Sequence, residues 1–160
     1  MMRLLFVATA TVMAAAALAT TAVGQYRRAP MIGGGYSDKR VSENRWKVSG
    51  FAVEQPHEYA IKLALYRAAI LLKRAGFSHF QIVNSNISGS VSIYARNELA
   101  DFTVVGTNTP DVVVPCEAKP KWAANCRLLN VDETLATAAP ALSRNVAEDL
   151  AADPGGKPHP

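Results

Sequence analysis

Apolar and polar residues change their spacing several times along the chain, and each change marks an element. From Arg45 the pattern alternates, with Trp46, Val48 and Gly50 on one side and Arg45, Lys47 and Ser49 on the other. A period of two predicts a half-buried strand ending near Val53. Gln55-Pro56-His57-Glu58 then opens a helix, since proline suits the first turn and a carboxylate suits the positive end of the helix dipole. That helix is predicted over residues 56–75, with Lys73 and Arg74 in its last turn and Gly76 as the stop. Three short strands are expected next: residues 80–83, bounded by the turn-forming Asn84-Ser85-Asn86; residues 91–95; and residues 102–105, closed by Gly106 and Asn108. The runs at 112–114 and 128–129 are candidates for edge pairing. From Asp132 the chain is alanine-rich, and Leu142, Val146 and Leu150 at a spacing of four predict a short amphipathic helix. The order β-α-β-β-β implies an α+β fold, one main helix on a small, mostly antiparallel sheet, with a short C-terminal helix added.

The main helix carries two apolar stripes. Ile61, Ala64, Leu65, Ala68, Leu72 and Ala75 fall together at 100° per residue and are expected to face the sheet. Tyr59, Leu63, Tyr66 and Ile70 fall on another side, edged by Lys62 and Lys73 and by Arg67 and Arg74. Two covers compete for this second stripe. The C-terminal segment can fold back over it through Leu142, Val146 and Leu150, since a chain hides what apolar surface it can. Alternatively, an apolar stripe with a basic rim has the make-up of a docking surface, so Tyr59, Leu63, Tyr66, Arg67, Ile70 and Arg74 form a candidate partner face. Burial of Leu63 and Ile70 under the same chain excludes the second reading.

The ends divide the chain further. Met1-Met2-Arg3, an uncharged run from Leu4 to Val23 and the small residue Gly24 have the three parts of a secretory signal. Cleavage is expected before Gln25, with Ala17-Leu18-Ala19 as an earlier exit; retention of the run as a membrane anchor is the rival reading. Residues 25–36, with Pro30 and Gly33-Gly34-Gly35, read as a linker. Residues 37–131 then form the α+β domain, residues 132–152 an alanine-rich helical segment, and residues 153–160, with three prolines and two glycines, a disordered tail.

Charge and cysteine content narrow the classes. Lys and Arg number 17 against 13 Asp and Glu, a formal net charge of +4. The basic residues stand singly or in pairs rather than as a stripe, which excludes a nucleic-acid platform and leaves mild attraction to anionic envelope polymers or, peripherally, a membrane surface. Cys116 and Cys126 are the only cysteines, and in an exported chain they are expected to form a disulfide that staples the polar loop between them. No lipid-bearing cysteine lies near the expected new N-terminus.

Catalytic and cofactor patterns are missing. A zincin helix needs a second histidine four residues after His57, and position 61 is Ile. His57 reads as a solvated first-turn residue, His79 has no Cys or Asp beside it, and His159 lies in the tail. The serines near glycine do not form a Gly-x-Ser-x-Gly elbow, and Gly33-Gly34-Gly35 is followed by Tyr-Ser-Asp rather than a phosphate-binding Gly-Lys-Ser/Thr. Tyr36, Asp38, Arg40 and Asn44 read as turn chemistry before a strand.

Gly35-Tyr36-Ser37-Asp38-Lys39-Arg40, Glu43-Asn44-Arg45-Trp46-Lys47-Val48, Leu65-Tyr66-Arg67-Ala68-Ala69 and Gly76-Phe77 with Phe80 after it resemble a family of small alphaproteobacterial envelope lipoproteins of unknown function. The resemblance spans residues 33–84 and implies an envelope location and a β-α-β start, with no activity attached. This chain departs from the family in lacking the lipidated cysteine. The expected product is a non-enzymatic, periplasmic protein with no cofactor or metal that binds another envelope protein or a cell-wall polymer. The rival is a small periplasmic hydrolase with a site assembled from distant residues.

Overall fold

The computed structural model describes residues 25–26, 33–91, 93, 95–142 and 144–153. The predicted leader and the tail beyond Asp153 lie outside the described residues. Strands β1 (Gln25–Tyr26), β2 (Gly33–Ser42), β3 (Arg45–Val53), β4 (His79–Val91), β5 (Arg96–Thr107) and β6 (Leu128–Asn130) form one antiparallel sheet in the order β1-β2-β3-β5-β4-β6. Helix α1 (His57–Arg74) lies across one face of it, and α2 (Val131–Ala138) and α3 (Arg144–Ala152) follow at the C-terminus. The α+β class and the helix-on-antiparallel-sheet architecture are as expected. Among the described residues no helix is long and apolar enough to cross a membrane.

Several boundaries differ from the sequence reading. Residues 25–36 are not simply a linker, because Gly33, Gly34 and Gly35 open β2 and pair with Val53, Ala52 and Phe51 of β3. Glycine weakens a strand locally, and here the ladder to β3 outweighs that cost. Asn84-Ser85-Asn86 is not a turn but the middle of β4, which runs on to Val91, and the next strand opens at Arg96 rather than at the start of the segment expected over residues 91–95, part of which lies outside the described residues. The three expected strands are therefore two long ones. The alanine-rich segment is two helices, separated at Pro140, which cannot donate to a continuing helix. The side chain of Asn130 starts α2 by accepting a hydrogen bond from the Glu133 N–H at 3.0 Å.

Helix α1 is placed by its own ends and by the sheet. Pro56 precedes its first turn, Lys73 and Arg74 stand in its last, and Gly76 takes a left-handed φ of 84° just beyond it. Ala64, Leu65, Ala68 and Leu72 pack on Trp46, Val48, Ala52, Phe80, Ile82, Ala100, Phe102 and Val104. The crossing is closest at Gly50, where a Cβ atom would stand 2.1 Å from the Ala60 carbonyl oxygen and 2.9 Å from the Ala64 nitrogen. The tight contact is backbone against backbone, so no rotamer change can relieve it. Gly50→Ala is accordingly expected to lower the unfolding free energy by about 3 kcal/mol through overpacking. Urea denaturation beside the control Ser49→Ala, which changes the opposite face, checks this; an unchanged midpoint for Gly50→Ala would mean the helix is not pinned there.

Candidate functional site

The second stripe of α1 is buried by its own chain. Leu63 is 1% and Ile70 7% exposed, packed with Tyr36, Leu142 and Leu150, and with Tyr59, Tyr66, Leu135 and Val146 around them. The proposed partner face of Tyr59, Leu63, Tyr66, Arg67, Ile70 and Arg74 is therefore corrected: the C-terminal segment occupies it. Removing that apolar stripe from water is favourable without any partner. Burial also pushes the pKa of the Tyr59 phenol up, because ionisation there would forfeit hydration.

Arg67, expected on the basic rim, has no exposed surface. Its Nε donates to Asp38 Oδ2 at 2.8 Å, and its Nη1 donates to the carbonyls of Leu150 at 2.8 Å and Asp153 at 2.9 Å. Nη2 lies 3.6 Å from Asp153 Oδ1, close enough for ionic attraction but too long for a hydrogen bond. The guanidinium stacks 5.0 Å from the Tyr36 ring centroid, and the Tyr36 hydroxyl donates to Asp153 Oδ2 at 2.6 Å. Arg74 donates to the carbonyls of Ala151 and Asp153. Tyr36 and Asp38 are thus not turn-forming residues but part of this clamp. One signal for it was present: Arg67 follows Leu63 by four and precedes Ile70 by three, inside an apolar stripe where a charge needs a buried partner.

Among the described residues no α-helix packs on the other face of the sheet. There the strand register sets Lys39, Lys47, Thr103 and Asn84 in one row across β2, β3, β5 and β4, and Ser37, Ser49, Asp101 and Asn86 in the next. These rows form a cavity of about 270 Å³ lined by Lys47, Ser49, Asn84, Ser85, Asn86, Asp101, Phe102 and Thr103. Asn84 and Asn86 reach it because β4 is irregular at Val83, which has no register partner between Ile82 and Asn84. One extra residue reverses the alternation, so Phe80 and Ile82 face α1 before it while Asn84 and Asn86 face away after it. Without that step the two amides would enter the core.

The disulfide loop docks on the β4 edge beside this dish. Cys116 and Cys126 are bonded as expected, with Cα atoms 5.7 Å apart. The Glu117 N–H donates to the Val83 carbonyl at 2.7 Å, and the Ile82 N–H donates to the Arg127 carbonyl at 3.0 Å. The Gln81 side-chain amide exchanges two hydrogen bonds with the Val114 backbone, at 2.5 and 2.7 Å. Ser85 Oγ donates to the Trp122 carbonyl at 3.4 Å and accepts from Asn125 Nδ2 at 3.2 Å, while Arg45 pairs with Glu117. The loop thereby covers the part of the β4 edge that β6 leaves open, and of the run at 112–114 only Val114 is held, by Gln81, while Val112 and Val113 stay exposed rather than pairing as a strand.

Inside the dish, Lys47, Asn84, Asn86 and Asp101 make no side-chain hydrogen bond or ion pair among the described residues. Together with Ser49 and Thr103 they offer an ammonium donor, a carboxylate acceptor, and amides and hydroxyls that both donate and accept. Asp101 is the one carboxylate in the lining, and neither histidine nor cysteine is in it. His79 instead contacts Ser78 Oγ at 2.9 Å and Asn130 Nδ2 at 3.4 Å, and the side chain of His57 lies outside the described ones. No group of three potential metal ligands occurs among the described residues. No family model, curated protein or solved structure matches this chain.

Two stability predictions follow from the clamp and the loop. Arg67→Ala leaves Asp38 as an uncompensated buried charge and is expected to cost about 3–5 kcal/mol, whereas replacing both residues by apolar ones of similar volume recovers much of the loss; chemical denaturation of the single and paired variants measures the difference. Reducing the disulfide, which joins residues separated by 10 in sequence, is expected to cost about 2.7 kcal/mol by chain entropy. Comparing oxidised protein with a Cys116→Ser, Cys126→Ser variant tests this, and equal stabilities would show that the docked loop needs no staple.

Proposed function

We propose that the chain is an exported, non-enzymatic binding module of the bacterial envelope, and that the dish on the open sheet face holds its ligand. The observation that carries this reading is the set of unpaired polar side chains converging there. Several polar groups with little exposure elsewhere are occupied: Arg67 by Asp38, Gln81 by Val114 and Glu98 by Arg96. In the dish, by contrast, an amide pair, a carboxylate and an ammonium remain free to bind something from outside. Convergent polar groups in a preformed hollow are what fixes the orientation of a bound molecule.

Export is supported by the leader-like start and by the disulfide, which persists in an oxidising compartment. The resemblance of residues 33–84 to envelope lipoproteins supports the same location. Binding rather than catalysis is supported by the lining itself, which holds one carboxylate and neither histidine nor cysteine, and in which Ser49, opposite Asp101, has no side-chain hydrogen bond to a base among the described residues. The ligand in this reading is an envelope polymer or protein segment.

Replacing Asn86 and Asp101 together by alanine is expected to change stability by no more than about 0.5 kcal/mol, because both side chains lie on the solvent face without partners. The same variant should lose retention by the cell-envelope fraction. Equal retention of variant and parent, with both exported, would overturn the dish as the ligand site.

A further inference from the structure

The chemistry around the dish also selects a ligand class. Lys39 and Lys47 sit directly opposite each other on β2 and β3, both exposed, and neither ammonium has an ion-pair partner among the described residues. Cα atoms of such pairs are only about 5 Å apart, and like charges so placed oppose sheet pairing. An incoming negative group relieves that repulsion. Beyond the lining of the dish, on the same sheet face, Phe51 and Leu99 form the next row about 7 Å further along the strands, and both are partly exposed. Between them stand the mixed donors and acceptors of Ser49, Asn84, Asn86 and Asp101.

We infer that the dish takes an acidic saccharide: a ring whose hydroxyls meet the amides and Asp101, whose C–H face lies on Phe51 and Leu99, and whose carboxylate sits at Lys39 and Lys47. This inference rests on the dish being the ligand site. A hydroxyl donates and accepts at once, which is what a lining of amides, hydroxyls and one carboxylate can satisfy. A bare polyanion fits poorly, because Asp101 stands two residues from the Lys47 row and repels it. A lipid chain fits poorly because the floor is polar. An extended peptide gains most of its affinity from main-chain bonds to a sheet edge rather than from a sheet face.

The test uses the full exported protein titrated calorimetrically with trigalacturonic acid, chitotriose and inorganic phosphate. Trigalacturonic acid should bind more tightly than chitotriose at low salt, with an advantage that shrinks as ionic strength rises. Lys47→Gln should weaken acidic-sugar binding by about fivefold while leaving the unfolding temperature equal or slightly raised by relief of the Lys39 repulsion, and Asn86→Ala should weaken it by about tenfold with thermal unfolding unchanged. Chitotriose binding equally well would overturn the role of the lysine pair, and phosphate binding equally well would overturn the saccharide. If no saccharide binds while the Asn86, Asp101 variant still loses envelope retention, the ligand class is wrong and the site stands. If retention is indifferent to that variant, the site itself is wrong.

Discussion

A guanidinium with no exposed surface must be neutralised inside the protein, and the way Arg67 is neutralised joins three distant parts of the chain. Asp38 comes from β2, Arg67 from α1, and the two accepting carbonyls from the end of α3 and the residue beyond it. Loss of any one of these leaves a charge or its donors without water and without partners, the situation that costs most in a folded interior. The apolar contacts among Leu63, Ile70, Leu142 and Leu150 supply the non-directional attraction that brings the C-terminal segment down. Arg67 supplies the direction: its planar fork fixes where Leu150 and Asp153 stop relative to α1.

On the far side of the sheet the governing feature is the irregularity at Val83. The core needs Phe80 and Ile82 on the helix side, and Ile87 packs on the same core although its position has the opposite parity. A regular strand cannot satisfy both. The extra residue reconciles them and, as a consequence, turns Asn84 and Asn86 outward into the dish. The carbonyl of Val83 is then capped by the Glu117 N–H, so the disulfide loop is docked on the same residue whose irregularity shapes the dish.

The sequence made α1 and β3 legible because both obey a single period and end on strong punctuation, Pro56 and Gly76 in particular. It hid β2 because Gly33-Gly34-Gly35 reads as a loop by local preference, and only the nine-residue β3 beside it makes it a strand. It hid the continuity of β4 because Asn84-Ser85-Asn86 has turn composition, and the parity change from Ile82 to Ile87 was the one available hint of a bulge. Of the clamp, Arg67 was visible as a charge inside an apolar stripe, but Asp38 lies 29 residues away in sequence, and nothing local pairs them. The dish was least legible of all. Its lining comes from three strands, and their register follows from non-local pairing rather than from any motif.

The two faces of the sheet divide the work of the molecule. Toward α1, the buried charge of Arg67 is met by Asp38 and by carbonyls of the chain itself, and a substitution there is felt throughout the fold. On the open face, Lys47, Asn86 and Asp101 contribute nothing to the clamp or the core, so the fold gives no reason for their being polar and convergent rather than arbitrary. Solvent alone would accept almost any polar residue at these positions. What solvent does not require is a pair of opposed lysines at one end, which costs sheet stability, or Phe51 and Leu99 left partly wet at the other, which forgoes burial. Both costs are small, and a ligand with a negative group at one end and an apolar face at the other, as proposed above, would recover both.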